Sequence, residues 1–573
     1  MKKRWVINTP PEATKIEELS KKLNCHPVIA NLLLQRGITS SEQAQSFFYP
    51  SLNMLHDPFL MKDMDKAVER LDRAIAQDEK ILIYGDYDVD GTTAVSLLYK
   101  YLKHHCNSDN LEYYIPDRYT EGYGVSIKGI DYAAENGFSL MLITDCGIKA
   151  VEKVKYANSR QVDIIICDHH TPGDTLPEAI AVLDPQRPDC PYPYKWLSGC
   201  GVSFKLVQAH SLKHNLPMSE LYKLLDLLCV SIASDIVPIT GENRILAYFG
   251  LQQLNSNPSL GLKTIKISGI DKEITINDIV FRIGPRINAA GRVESGRKSV
   301  ELLTADEKCS AAGIASDINT FNDQRKKLDH DITEEAIRHI NQSELEPSKK
   351  TTVLFNANWH KGVIGIVASR LTESFYRPTI ILTESNGLAT GSARSVEGFD
   401  LYYAISQCSE FLENYGGHKY AAGLTLKIEN IEPFKQKFER IVRETIDDEM
   451  LTPQINIDAK IKLTDITPDL YHMLQKFAPF GPNNTIPVFM TEKVTNFIGT
   501  KRVGRNNEHL KLVIVDDTRA CNDRSGIGFG MGHLYDKVNS GGFFDICYTL
   551  QENEFMGKND IQMIVKDIRL REE

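Results

Sequence analysis

The 573-residue sequence has no long hydrophobic run and no C-x-x-C pair. Each absence excludes a class of protein. No apolar stretch approaches the ~20 residues that span a bilayer, so no membrane association is expected. The opening MKKRWVINTPPEATK carries basic residues but no apolar segment, so no signal peptide is read there. The 11 cysteines are scattered, and Cys146 and Cys167 fall inside apolar, strand-like runs. That pattern predicts reduced, buried thiols in a cytoplasm, not a disulfide framework. Positive charge is not in excess either, the formal net charge being −10. A nucleic-acid partner is not excluded thereby, because affinity for phosphate depends on local patches and a carboxylate-rich metal centre lowers the net charge by itself. What is present, 42% hydrophobic and 25% charged residues, is the composition of a soluble globular chain, long enough for about three or four domains.

The stretch GDYDVDGTTAVSL (85–97) opens like a calcium loop, with Asp86, Asp88 and Asp90 alternating before Gly91. It lacks the bidentate Glu such a loop needs at its twelfth position, where Leu97 stands. Its flanks are also wrong. ILIY (81–84) reads as a buried strand and TTAVSLLYKYL as a helix, so the acids lie on a strand-to-helix turn. In open α/β sheets ligands bind at that edge. Taken alone, the three acids read equally well as a solvated turn.

Strand-like and helical runs alternate from 81 to about 185, which predicts a mostly parallel sheet with helices on both faces. Helical segments dominate 199–255. From 305 to 342 the apolar residues Ile314, Ile318, Phe321, Leu328 and Ile332 recur at helical spacing, which reads as a long linking helix. Residues 350–445 form a second α/β unit. INIDAKIKL (455–463) then alternates with period two, and further short strands predict a small β-barrel. The expected organisation is a helical segment over 1–50, a first α/β domain over 51–304, the linking helix over 305–345, a second α/β domain over 346–450 and a barrel over 451–573.

Three strands of the first unit end in acids: Asp86, Asp88 and Asp90; Asp145 in LMLITDCG; and Asp168, with His169 and His170, in VDIIICDHH. Parallel strands bring their carboxyl ends to one edge. So many like charges in one crevice are too costly unless cations neutralise them. Oxygen donors with one or two imidazoles suit Mn²⁺ or Mg²⁺. Several carboxylates predict two ions about 3.5–4 Å apart, an arrangement for in-line attack at phosphorus. Asp235 in SIASDIVP is a further candidate ligand, although alone it reads as an ordinary helix-end acid.

The ordered set GDYDVDG, ITDCG, DHH and ASDIVP resembles the four motifs of the DHH phosphoesterase family. RIGPRINAAGR (282–292) and GGHKYAAG (416–423) are close to hallmarks of its RecJ branch, the single-strand-specific 5′→3′ exonucleases. The resemblance covers nearly the whole chain, with no departure at the motif acids. It implies a DHH domain, a DHHA1-like domain and an OB-fold-like barrel. Asp88 and Asp90 would be metal ligands, with Asp86 in contact with an ion or one shell behind. Asp145 would bridge the two ions, His169 would bind through an imidazole nitrogen, and Asp235 would complete the second ion's shell. Asp168 would steady the motif and His170 would face the scissile phosphate. Single-stranded DNA would be the substrate, cut to 5′-mononucleotides in repair and recombination by a cytoplasmic monomer. A RecQ-type helicase and a single-strand-binding protein are the partners implied.

Arg118, Arg286, Arg292, Ser392 and Arg394 match the family's phosphate-handling segments, and Arg suits bidentate phosphate contact. A surface salt bridge is the competing reading for each, and for Arg286 the two weigh about equally. GGHKY reads as a glycine-rich turn able to cradle a phosphate beside His418, or as a tight turn with a structural histidine. In the barrel, Lys501, Arg502, Arg505 and Lys511 mark a single-strand groove. Phe477 and Phe480 read as core aromatics in preference to base-stacking ones. GIGFGMG (526–532) lacks the βαβ context of a dinucleotide site. Two other functions compete: a DHH phosphoesterase for short oligonucleotides or nucleotide bisphosphates, disfavoured by the extra barrel, and a scaffold that has lost its metal acids, disfavoured because all are present.

Overall fold

The computed structural model describes residues 3–265, 273–342, 348–516, 523–555 and 558–571. It separates into two compact units, one of Met1–Leu55, Pro238–Thr240 and Gln454–Glu573, the other of His56–Val237 and Gly241–Pro453.

In the first unit the N-terminal residues do not form a body of their own. Arg4–Ile7, read as part of a helical segment, is strand β1, because Gln454–Ile457 offers it a parallel partner. Helices Ala13–Leu23 and Pro27–Gln35 then bury Leu19, Ile29, Leu32 and Leu33 in the same core as Leu463, Phe477 and Phe489. Strands Phe489–Asn496, His509–Asp516, Arg524–Gly528, Phe544–Phe555 and Lys558–Leu570 close on themselves, since the first pairs with both the second and the fourth. Closure leaves no free sheet edge among these five, as in an OB barrel. Phe477 is fully buried against Phe47 and Phe48, a core aromatic as expected. The GIGFGMG run enters the barrel as strand Arg524–Gly528 and a following turn.

The second unit holds two sheets. The first is all parallel, in the order β3 (Leu111–Tyr114), β2 (Ile81–Gly85), β4 (Leu140–Thr144), β5 (Asp163–Cys167), β6 (Ala181–Leu183). β2 and β4 are buried along their whole length, as continuous apolar runs require in a sheet covered on both faces. The strand order reverses between β2 and β4, so the crevice at their carboxyl ends is the switch point where such sheets take ligands.

The second sheet runs β10 (Leu412–His418), β11 (Ala421–Lys427), β9 (Leu388–Arg394), β8 (Thr379–Ser385), β7 (Thr352–Phe355). Here GGHKY departs from expectation. Gly416, Gly417 and His418 are paired strand residues opposite Gly423, Ala422 and Ala421, and only Lys419 and Tyr420 turn. The glycine at 417 answers a close approach: a Cβ there would lie 2.4 Å from the Ala421 carbonyl oxygen, and φ is +144°.

The helix Lys308–Gln342 connects the two sheets. Its 35 residues give a rod about 52 Å long. Its last turns bury Ile332, Ala336 and Ile340 against Val363, Val367 and Leu371 of the second sheet's layer. It starts three residues later than its composition predicts, and the expected end at 345 lies outside the described residues. Among the described residues no helix is long and apolar enough to cross a membrane.

Candidate active site

Strand register builds the site. Gly85 pairs with Thr144, and Thr144 with Cys167, so the next residues, Asp86, Asp145 and Asp168, stand side by side at the sheet edge. Backbone bonds carry the row on: Asp145 N–H donates to the Cys167 carbonyl (2.9 Å) and Asp168 N–H to that of Leu183 (3.0 Å). The row therefore includes a fourth acid, Asp184, which the sequence reading passed over. It ends the IAVLDP strand just as the other acids end theirs, and that parallel is the signal that was available. Burial raises its carboxyl to about 7.

The helices bring further groups. Asp88 caps helix Val89–Leu102, accepting from Gly91 N–H at 3.0 Å. Asp90 is clasped by the N-terminus of helix Gly199–Lys213: its oxygens accept from Gly199 N–H (2.7 Å), Cys200 N–H (2.8 Å) and the Ser231 hydroxyl (2.7 Å). Helix N-termini favour such a charge. Residue 199 has to be glycine, since a Cβ there would sit 2.6 Å from the Asp145 side chain. Asp145 itself is left-handed (φ +58°), the kind of backbone cost that functional sites retain. Asp235 caps the end of helix Leu225–Ser234.

His169 Nε2 lies at the meeting point, 3.3 Å from Asp145 Oδ1, 3.6 Å from Asp235 Oδ2 and 3.7 Å from Asp90 Oδ2. It is buried with no hydrogen-bond partner, as is Asp86 Oδ1. Burial, then the crowding of like charges, raises the carboxyls of Asp86, Asp145 and Asp235. Burial lowers His169, keeping its nitrogen a free lone pair. Orphaned oxygens and an imidazole lone pair facing one another are a cation's donor set. Asp90, His169 and Asp235 form one group close enough to share an ion, and Asp145, His169 and His170 another. Hard oxygens with one imidazole fit Mn²⁺ or Mg²⁺.

His170 behaves differently. Its Nδ1 is 2.7 Å from Asp168 Oδ1 and its Nε2 is 3.2 Å from the Tyr123 hydroxyl. Asp168 also accepts from the backbone N–H of His169 and Ile148. Burial works against its charge, but the hydrogen bond and charge of His170 hold Asp168 at about 2. Burial likewise opposes the charge on His170, and Asp168 overrides it, lifting the imidazole to about 9. His170 is thus a fixed cation, aimed by a carboxylate that is itself held by the backbone N–H groups of His169 and Ile148. Tyr123 was not singled out in the sequence, although it sits in the same IPDRYTEGYG segment as Arg118.

Beside the acids lies the opposite charge. Burial and the neighbouring Arg118, Arg325 and Arg394 push Arg292 down to about 10. Arg394 Nη1 donates to the Ser392 hydroxyl (2.9 Å), Arg292 Nη1 donates to the Gly362 carbonyl (2.8 Å), and Arg118 stacks 4.0 Å over the Tyr87 ring. Nε of Arg118 and Nε of Arg325 are buried with no partner. Arg394 and His170 both act on His418 and, after burial, lower it further, so His418 stands between the two charge clusters. Arg325, with Asp329 at 3.9 Å, was not read as a site residue, although it takes the skipped step between Phe321 and Leu328 in the helix's apolar stripe, and a charge in that stripe was the signal available. Arg286 is not brought into this cluster. It bonds Asn319 and the Arg282 carbonyl instead.

In the barrel unit Lys501 and Lys511 are exposed and directly opposite each other on paired strands, with Arg505 exposed in the turn between them. Arg502 leaves this set: it pairs with Asp536 at 2.7 Å and lies over the Tyr535 ring.

Comparison with known proteins agrees with this geometry. Three family models match in order: the DHH family N-terminal domain over residues 80–232, the DHHA1 domain over 348–444 and the RecJ OB domain over 457–567. The single-stranded-DNA-specific exonuclease RecJ of Bacillus subtilis is 37% identical over the whole of this chain, which covers 71% of that protein. The Salmonella typhimurium protein of the same name is 31% identical over 97% of this chain and 98% of its own length. The crystal structure of RecJ in complex with Mn²⁺ from Thermus thermophilus superposes with a TM-score of 0.85 at 25% identity, covering all of this chain and 80% of that one.

Proposed function

Because the chain belongs to the RecJ family, we propose that its two charge clusters are the halves of a metal-dependent 5′→3′ exonuclease specific for single-stranded DNA, acting in repair and recombination. The observation that carries this reading is their juxtaposition in one unit: a buried anion excess with an orphaned imidazole nitrogen, beside a buried cation excess with orphaned guanidinium nitrogens. Asp86, Asp88, Asp90, Asp145, His169 and Asp235 would hold two Mn²⁺ or Mg²⁺ ions. Bound there, such ions lower the pKa of an attacking water and take up charge on the leaving 3′ oxygen.

The chain's own groups do the rest. Arg118, Arg292, Ser392 and Arg394, with Arg325 behind them, receive the terminal 5′ phosphate. The strand is then placed so that its first phosphodiester meets the acid row, and 5′-mononucleotides leave. His170, kept protonated by Asp168 and oriented by Tyr123, donates to a non-bridging phosphate oxygen as charge builds there. His418 lines the step between the terminal and scissile phosphates. A guanidinium cluster on both walls of a crevice admits a single strand more readily than a stiff duplex. In the barrel unit, Lys501, Arg505 and Lys511 add a sequence-independent hold on the backbone. We place the enzyme in the cytoplasm as a monomer, with a RecQ-type helicase supplying the strand and a single-strand-binding protein coating it.

The test uses single-stranded DNA labelled at either end, digested with Mn²⁺ or Mg²⁺. The 5′ label should appear first, as mononucleotide, while blunt duplex persists. Early release of the 3′ label, or equal digestion of duplex, would overturn the reading.

A further inference from the structure

A second cluster of metal-binding side chains lies away from the acid row. His210 stands near the end of helix Gly199–Lys213 and His214 caps it, spaced i, i+4 on one face. Asp72 reaches them from helix Met64–Ala76. Asp72 Oδ1 is 2.8 Å from His214 Nε2 and 3.4 Å from His210 Nε2, and one donor atom from each of the three residues lies within 4.8 Å of the others. Zinc–nitrogen and zinc–oxygen bonds of about 2.0–2.2 Å set tetrahedral edges of roughly 3.3 Å, so this carboxylate oxygen is already near coordination distance from both imidazoles.

The surroundings prepare the donors. His210 Nδ1 is 2.7 Å from the Tyr101 hydroxyl, which is 2.7 Å from the Ser211 hydroxyl. With Nδ1–H donating to Tyr101 and Tyr101 to Ser211, the lone pair is left on Nε2, the orientation that a ligand's outer partners impose. Asp72 Oδ2 is held by Lys213 Nζ at 2.9 Å, and Oδ1 is the oxygen that both imidazoles face, hydrogen-bonded to His214 Nε2 until an ion takes that place. His210 is buried, with the rings of His105 and His214 beside it. His214 is exposed, which gives a path from solvent.

We propose that Asp72, His210 and His214 form a site for a borderline transition metal, Zn²⁺ above all, with water completing the shell, that ties helix Met64–Ala76 to helix Gly199–Lys213. Two imidazoles and one carboxylate select such a metal over the Mg²⁺ or Mn²⁺ preferred by the oxygen-rich acid row. The two sites are separate. Asp90 is held at Gly199, the N-terminus of that helix, and His214 caps the other end after 15 residues, about 22 Å along the axis.

The test compares the full-length wild-type chain with His214→Gln and with the double variant His210→Gln/His214→Gln, each equilibrated with Zn²⁺ in excess Mg²⁺ and freed of unbound metal. Elemental analysis should find one equivalent of zinc more in wild type than in either variant. Co²⁺ loaded the same way should show visible absorption of a low-coordinate ion that the variants lose. Mn²⁺-supported nuclease activity of His214→Gln should stay within about twofold of wild type. Should the double variant misfold, the exposed His214→Gln alone decides. Equal zinc content and identical Co²⁺ spectra in wild type and His214→Gln would overturn the proposal and leave the cluster as a hydrogen-bonded tie between two helices.

Discussion

The acid row and the arginine cluster are mirror images in charge but not in construction. The row's acids come from strand ends of one parallel sheet, aligned by hydrogen-bond register, with Asp88, Asp90 and Asp235 added by helix ends. The arginines come from a loop, two helices and a strand between residues 118 and 394, and they meet only because one long helix joins the two sheets. Each cluster alone is an unfavourable burial of like charge. The acids need cations and the arginines need an anion. On the proposed function, a metal-loaded row and a strand with a terminal phosphate would satisfy both at once, substrate and ions completing the electrostatics that folding leaves open.

The sharpest way to break the comparison is at Asp145. Asp145→Ala should lower kcat on single-stranded DNA by at least about three orders of magnitude, the scale of losing a group that stabilises transition-state charge directly. Without metal its Tm should equal or exceed that of wild type, because the variant removes a carboxylate whose ionisation burial and its neighbours oppose. Steady-state kinetics and calorimetry of the apo protein check the two halves. A variant that keeps substantial nuclease activity would mean that the row does not hold the catalytic ions.

Next in size is the arginine side. Arg394→Ala should lower kcat/KM on 5′-phosphorylated strands by about 10- to 100-fold, the value of one charged hydrogen-bonding group at about 1.5–3 kcal/mol. On strands lacking the 5′ phosphate it should lower kcat/KM by much less. Arg325→Ala, at the residue with a buried and unpartnered Nε, should share this signature more weakly. Arg286→Ala should not show it, because that side chain bonds Asn319 and the Arg282 carbonyl instead. Equal losses on both substrates would mean that the cluster supports the fold and not the terminal phosphate.

The same contrast explains what could be read from the sequence. The acids were legible because strand ends of a parallel sheet converge by rule, so a motif at each end implied a site before any coordinates. Asp184 obeyed that rule and was missed only because nothing marked it beyond its strand. Arg325 was only half legible: its place in the apolar stripe of the long helix, between Phe321 and Leu328, set it apart from a solvated charge, but the groups it faces are decided by tertiary packing. The N-terminal strand Arg4–Ile7 was hidden likewise, since its partner lies some 450 residues away. The glycines at 416 and 417 were read as a turn, yet close strand approach demands glycine as strictly as a turn does.

Metal addition should separate the clusters again. An ion that binds only the folded state stabilises by about 2.7 kcal/mol at a hundred times its Kd. Mn²⁺ should therefore raise the Tm of the second unit in wild type, clearly less in Asp145→Ala and undiminished in Arg394→Ala. A rise that is lost in Arg394→Ala would show the two clusters to be one coupled site.

The smallest effect concerns the barrel, where the cations are exposed. Lys501 and Lys511 face each other across paired strands, a like-charge pair that costs the sheet a little stability and that a bound phosphate backbone would relieve. Contacts of that kind act through counterion release. Each phosphate neutralised on a single strand contributes about 0.7 to the slope of log affinity against log salt. Lys501→Ala and Lys511→Ala should each reduce that slope by roughly one contact, weaken long-strand binding a few-fold at low salt and lose the effect at high salt. Turnover of trinucleotides, too short to need a second hold, should be unchanged, and the Tm of each variant should be equal or slightly higher as the repulsion is relieved. Binding isotherms at several salt concentrations, with trinucleotide kinetics beside them, give the answer. Should both variants slow trinucleotide hydrolysis as much as long-strand hydrolysis, the exposed lysines serve catalysis or folding, and the division between buried charges that position phosphate and exposed charges that collect the strand would fall.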